Sequence, residues 1–156
     1  MQKINEYPNL VITQTLSKAY GMAGIRLGIL YASAEIITVL NKIKPPYNIN
    51  ELTQQKALIR ILDLNSIQNE IGLINAERSV LLKQLLQIKY IKFIYPTDAN
   101  FVLIKVDDAT KRYNQLLEKG IVIRNRTTQP LCENCLRITI GTKQENEKLI
   151  NALQSL

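Results

Sequence analysis

Apolar residues recur along this chain at two spacings, and the switches between them divide it into elements. Leu10-Val-Ile-Thr-Gln-Thr is short and rich in β-branched residues, which predicts a strand ending at Thr15. Ala34-Glu-Ile-Ile-Thr-Val-Leu-Asn-Lys-Ile has helical spacing and stops before Pro45-Pro46, where two fixed φ angles impose an extended bend. From Asn50 to about Lys89, Leu58, Ile61, Leu62, Ile67, Ile71, Ile74, Val80, Leu81, Leu85 and Leu86 recur at steps of three and four. That spacing predicts one long helix or two consecutive ones, with Asp63-Leu-Asn-Ser as the break. Lys92-Phe-Ile-Tyr and Ala99-Asn-Phe-Val-Leu-Ile-Lys-Val then predict strands around a Pro96-Thr-Asp turn, followed by a helix near Asp108–Lys119 that Gly120 ends. Two more strands, Ile121–Arg124 and Leu136–Ile140, precede a C-terminal helix from about Lys143.

After the long helical stretch the order is β-β-α-β-β-α, which fits a small domain with a mainly antiparallel sheet covered by helices, within an α/β chain. No internal repeat or low-complexity linker interrupts it. The 156 residues, 46% hydrophobic and 21% charged, suit a globular piece with a core of its own. A net charge of +7 raises the question of nucleic acid. The 20 Lys and Arg are dispersed without a basic run and with few interleaved aromatics, so no nucleic-acid partner is expected. No segment resembles a signal peptide and no apolar run approaches the roughly 20 residues that span a bilayer, so a cytoplasmic location and no membrane partner are expected. Cys132 and Cys135 form a single Cys-x-x-Cys in a chain without histidine, which reads as two reduced cysteines in a turn ahead of a strand, with no metal site expected.

The densest chemistry lies in Ser17-Lys-Ala-Tyr-Gly-Met-Ala-Gly-Ile-Arg, which puts an amine, a hydroxyl, two glycines and a guanidinium in one short loop at a strand end. Lysine amines condense with aldehydes, and hydroxyls with a planar guanidinium hold phosphate oxygens. Thr15, Ser17, Lys18 and Arg26 are therefore candidates for an aldehyde-bearing phosphate. Gly21, Gly24 and Gly28 are read as allowing positive φ or a close backbone approach. Taken singly, each has a simpler explanation: a solvated lysine, a weak Gly-x-x-Gly, an arginine paired with a surface carboxylate.

The order Thr-x-Ser-Lys-Ala-Tyr-Gly-x-Ala-Gly-x-Arg-x-Gly resembles the lysine loop of fold-type I pyridoxal-phosphate aminotransferases, and within that group the histidinol-phosphate enzymes. The likeness continues through Lys42-Ile-Lys-Pro-Pro-Tyr-Asn, Pro96-Thr-Asp-Ala-Asn-Phe-Val-Leu and Gly120-Ile-Val-Ile-Arg-Asn-Arg to Cys135-Leu-Arg-Ile-Thr-Ile-Gly-Thr, nearly the whole chain. The resemblance implies that Lys18 is catalytic and carries pyridoxal 5'-phosphate. It implies that Ser17 and Arg26, with Thr15 beside them, bind the cofactor phosphate. Arg137 would hold a substrate carboxylate or phosphate, Arg124 would be a second anion-binding arginine, and Arg126 is a less certain neighbour.

In this family the lysine loop lies past the middle of a longer polypeptide, so the chain resembles the C-terminal part of such an enzyme, with Met1 a cloning or gene-model start. The implied organisation is 1–48, the end of the large cofactor-binding domain; 49–90, connecting helices; and 91–156, a small α+β domain. The residues that pair with the cofactor ring are upstream in the family and absent here, and the opening strand is expected to expose apolar edges. The implied parent transfers an amino group between L-histidinol phosphate and 2-oxoglutarate, with glutamate as the amino acid of the second couple, and works as a homodimer. An aromatic amino-acid aminotransferase, a threonine-phosphate decarboxylase and a non-catalytic remnant are the alternatives.

Overall fold

The computed structural model describes residues 2–156, so Met1 lies outside the described residues. Six strands and five α-helices follow in the order β1 (Ile12–Thr15), β2 (Gly28–Tyr31), α1 (Ala34–Ile43), α2 (Glu51–Leu62), α3 (Leu64–Leu85), β3 (Ile91–Ile94), β4 (Phe101–Val106), α4 (Ala109–Glu118), β5 (Arg124–Asn125), β6 (Cys135–Thr139) and α5 (Lys143–Gln154). The chain forms two compact units, residues 1–69 and 70–156, and the boundary falls within α3. Among the described residues no helix is long and apolar enough to cross a membrane.

In the first unit, β1 and β2 form a two-stranded antiparallel sheet, with Thr15 opposite Gly28. The α1 bounds are those the spacing predicts. α2 starts where the Asn50 side chain accepts a hydrogen bond from the Thr53 amide at 2.9 Å, satisfying one of the unpaired donors of the first turn. The predicted break is a single residue, Asp63, whose carboxylate accepts from the Ser66 amide at 3.2 Å and so caps the start of α3. The Ser66 hydrogen bonds hold the Asp63 carboxyl below its usual range. This unit buries little apolar surface: Leu16, Ala57 and Ile67 are enclosed, whereas Ile43, Leu52, Leu62 and Tyr47, the last 95% exposed, face solvent.

The second unit holds the larger core. Its sheet has the order β3-β4-β6-β5 with every pair antiparallel, as the predicted β-β-α-β-β-α order requires. Val102, Ile104 and Val106 of β4 alternate with less buried neighbours, as Leu136 and Ile138 of β6 do about Arg137, so one face of the sheet is closed; Cys135 at the start of β6 is buried as well. That face joins Leu81 and Leu85 of α3, Leu116 of α4 and Leu149, Ile150 and Leu153 of α5 in one cluster. α5 begins with a reciprocal capping box between Thr142 and Glu145. Buried Asn146 ties that end of α5 to α3, donating to Glu77 Oε2 at 2.9 Å while its own Oδ1 accepts the Gly141 amide at 3.0 Å.

Three expectations need correction. Gly28–Tyr31, which the periodicity does not single out, is a strand, because it returns antiparallel to β1. β4 begins at Phe101 rather than Ala99, since Thr97 Oγ1 closes a turn by accepting the Ala99 amide and donating to the Phe101 carbonyl. The strand expected over Ile121–Arg124 is reduced to Arg124–Asn125. Gly120 ends α4 at φ +71°, and the Ile121 amide bonds back to the Leu116 carbonyl at 2.9 Å, so the chain is still closing the helix where pairing was expected to begin.

A polar knot fastens this unit. Arg112, only 8% exposed, forms a two-pronged pair with Asp107 (Nε–Oδ1 3.0 Å, Nη2–Oδ2 2.6 Å), donates to the Leu156 carbonyl and lies 4.0 Å from the Tyr90 ring centroid. Tyr90 donates to the Leu153 carbonyl at 2.7 Å, and burial pushes its phenol up to about 12. The Arg112 hydrogen bonds hold the Asp107 carboxyl at about 2, below its ordinary 3.8. A folded value below the unfolded one stabilises the fold above about pH 4, and that stabilisation is lost as the pH falls toward 2. Arg112→Met is expected to cost about 2 kcal/mol at pH 7. In urea unfolding from pH 2 to 7, the difference between wild type and variant should shrink toward acid pH; a constant difference would contradict the assignment.

Candidate functional site

The predicted lysine loop is the connection between β1 and β2. Its base is fixed by the register of those strands and by a hydrogen bond from the Leu16 amide to the Leu27 carbonyl at 3.3 Å, so Ser17 and Arg26 are the next residues on its two arms. The Leu16 side chain is fully buried, which anchors the loop, while Ser17 is half-buried and Thr15, Lys18 and Arg26 are exposed. Two further bonds shape the turn: Gly21 amide to Lys18 carbonyl at 2.8 Å, and Met22 amide to Leu16 carbonyl at 2.9 Å. Gly21 has φ +68°, where an L side chain is strained. Gly24 and Gly28 have negative φ and room for a Cβ, so of the three glycines only Gly21 is required by its conformation. Arg26 itself takes φ +54° and its Nη1 donates to the Ala23 carbonyl at 3.0 Å.

A contact that the sequence does not disclose holds the far side of the loop. Arg60 of α2 donates from Nε to the Tyr20 carbonyl at 2.8 Å. The pairing spans forty residues of sequence, beyond the reach of any local pattern.

These groups fit a phosphate-bearing aldehyde. Thr15 Oγ1 accepts the Ser17 amide at 3.0 Å, which leaves its own proton free to donate. Residues 15–26 contain three hydroxyls (Thr15, Ser17 and Tyr20), an amine and a guanidinium but no carboxylate, so no anionic side chain within the loop competes with an anionic ligand for its donors.

The second predicted group lies in the 70–156 unit. Arg124 and Arg137 are directly opposite in the β5–β6 register, on the sheet face turned away from the apolar cluster. Like charges so placed repel, and no ion pair holds Arg137 among the described residues. Its guanidinium lies 5.1 Å from the Phe101 ring centroid, and its Nε is buried without a hydrogen-bond partner. Both arginines line one cavity of about 790 Å³ together with Thr110, Tyr113, Asn114 and Asn125. Arg126 is just beyond β5, its amide bound to the Cys135 carbonyl, and does not line this cavity. Cys132 and Cys135 are unbridged thiols; both were expected in the turn ahead of β6, but only Cys132 lies there and Cys135 is the first paired residue of that strand. The Cys135 amide closes the turn on the Cys132 carbonyl at 3.0 Å, and burial pushes the Cys135 thiol up.

The profile of the family described as aminotransferase class I and II matches residues 1–153. A histidinol-phosphate aminotransferase of Flavobacterium johnsoniae is 68% identical over 156 residues, which are 100% of this chain and 45% of that protein. The crystal structure of the histidinol-phosphate aminotransferase from Clostridium acetobutylicum superposes with a TM-score of 0.90 at 30% identity, covering 99% of this chain and 47% of that one. A decarboxylase from Sulfurospirillum multivorans also matches, at 30% identity and a TM-score of 0.84, over 97% of this chain and 44% of that one. The chain thus spans a little under half the length of the relatives it matches.

The loop geometry makes a prediction of its own. Gly21→Ala is expected to cost about 1 kcal/mol locally, because the alanine must enter the left-handed region. The Met22 amide should then exchange with solvent roughly fivefold faster. Gly24→Ala, which meets open space, should leave that rate nearly unchanged, and equal effects at the two positions would refute the assignment.

Proposed function

The chain belongs to the class I and II aminotransferases, and from that premise we propose that it is the C-terminal part of an enzyme transferring an amino group between L-histidinol phosphate and 2-oxoglutarate. The observation that supports this reading is the lysine loop, where amine, hydroxyl and guanidinium donors share one short β1–β2 connection without a carboxylate. Pyridoxal phosphate, when bound, supplies the electron sink that makes the hydrogen on the substrate's amine-bearing carbon labile. Ser17, Thr15 and Arg26 hold its phosphate through charge-assisted hydrogen bonds, each contributing roughly 1.5–3 kcal/mol. Lys18 Nζ carries the cofactor and, once free, takes the proton from the substrate carbon and returns it as general base and acid. Arg137 and Arg124 orient the anionic end of the substrate, since one anion between them relieves their mutual repulsion.

The exposed apolar side chains of residues 1–69 support the same reading, with sequence outside this chain covering Ile43, Leu52 and Leu62. Assembly as a homodimer belongs to this proposal as well. A second reading, a decarboxylase, is favoured by the similarity to the Sulfurospirillum multivorans decarboxylase.

The test has two arms. Pyridoxal phosphate added to the chain and trapped with borohydride is expected to label Lys18 alone by peptide mapping; label spread over many lysines would remove the loop as a cofactor site. In a full-length parent, Lys18→Ala should abolish turnover of histidinol phosphate while some cofactor binding survives through the phosphate contacts. Retained turnover would refute the role of Lys18, preference for phenylalanine would point to an aromatic aminotransferase, and release of carbon dioxide would establish the second reading.

A further inference from the structure

Resting on the anion-binding reading of Arg124 and Arg137, we propose that Phe101 is a positioning residue of that site, its ring holding the Arg137 guanidinium in the orientation that meets the anion. In the β4–β6 register Phe101 is opposite Thr139 and Leu103 is opposite Arg137, so Phe101 is the diagonal neighbour of Arg137 on the same sheet face. The guanidinium carbon is 5.1 Å from the ring centroid, within the range of a cation–π contact. No polar partner orients this side chain among the described residues: its Nε is buried without a hydrogen bond, and no ion pair holds it.

The choice of partner has a chemical consequence. A carboxylate would orient Arg137 equally well but would occupy its donors and cancel its charge, so every incoming anion would have to displace it. An aromatic face orients the guanidinium through its quadrupole and leaves the charge and the terminal N–H groups available. Arginine also carries large rotamer freedom, and restricting it before binding reduces the ordering cost that binding incurs. The backbone that carries the ring is fixed at the start of β4. The Thr97 hydroxyl donates to the Phe101 carbonyl at 2.8 Å, and the Asn100 carbonyl accepts the Ile140 amide at 2.9 Å.

Inorganic phosphate is the probe, titrated into the full isotope-labelled chain while the arginine Nε–Hε resonances are followed by nuclear magnetic resonance. In the wild type, phosphate should shift the Arg137 and Arg124 signals saturably. Phe101→Leu and Phe101→Met remove the ring while keeping an apolar side chain, and either one that retains the wild-type amide spectrum is expected to weaken phosphate binding about fivefold. Phe101→Tyr restores a ring face and should bind within about twofold of wild type, a rescue that mere filling of space would not produce. Unchanged affinity in the ring-deleted variants, or Phe101→Tyr binding as weakly as they do, overturns the role of Phe101 while leaving the anion site intact. Phosphate that moves neither arginine in the wild type overturns the anion-site reading itself.

Discussion

The register between β4 and β6 determines what the rest of the second unit can do. Val102, Ile104, Leu136 and Ile138 can be buried together only if the two strands pair as they do, and that pairing sends Phe101, Leu103 and Arg137 to the opposite face. A slip of one residue would drive the Arg137 guanidinium into the apolar cluster and expose its aliphatic neighbours, a change that costs several kcal/mol at a single charged position. β5 inherits the constraint through two paired residues, and these suffice to bring Arg124 opposite Arg137. The position of the arginine pair is therefore set by hydrophobic burial elsewhere in the sheet, with no attraction between the arginines themselves.

The lysine loop obeys a different logic. Its unit buries few large side chains, so its shape rests on backbone hydrogen bonds, one enclosed leucine, the Arg60 bond to the Tyr20 carbonyl and two residues in the left-handed region, Gly21 and Arg26. Glycine takes that conformation freely, whereas arginine does so at a cost of roughly 1–2 kcal/mol that the bonded turn around it must offset. Short-range geometry of this kind follows from the order of residues, which is why this segment is so recognisable as sequence.

That difference explains what could be read in advance. Helices α1, α4 and α5 follow from spacing, prolines and the terminal Gly120, and the antiparallel order of the small sheet follows from the sequence of strands and helices. β2 escapes because its strand character comes from pairing with β1, and β5 is overestimated because the helix before it keeps the Ile121 amide. Gly24 looks equivalent to Gly21 in sequence, yet only the second has a positive φ. Arg60 and Phe101 act across long stretches of chain, on Tyr20 and Arg137 respectively, and neither leaves a local signature.

Electrostatics links the two candidate groups without reference to their mutual placement. A net charge of +7 invites a polyanionic partner, but the structured cations are arranged to a more limited purpose. Arg112 is fully engaged with Asp107 and contributes to the fold. Arg124 and Arg137 are opposed in a cavity that no acidic residue lines among the described residues, and Lys18 and Arg26 belong to a loop that contains no carboxylate. Each of the two cationic groups is small, and the repulsion within a close pair of arginines is relieved by one bridging anion of carboxylate or phosphate size.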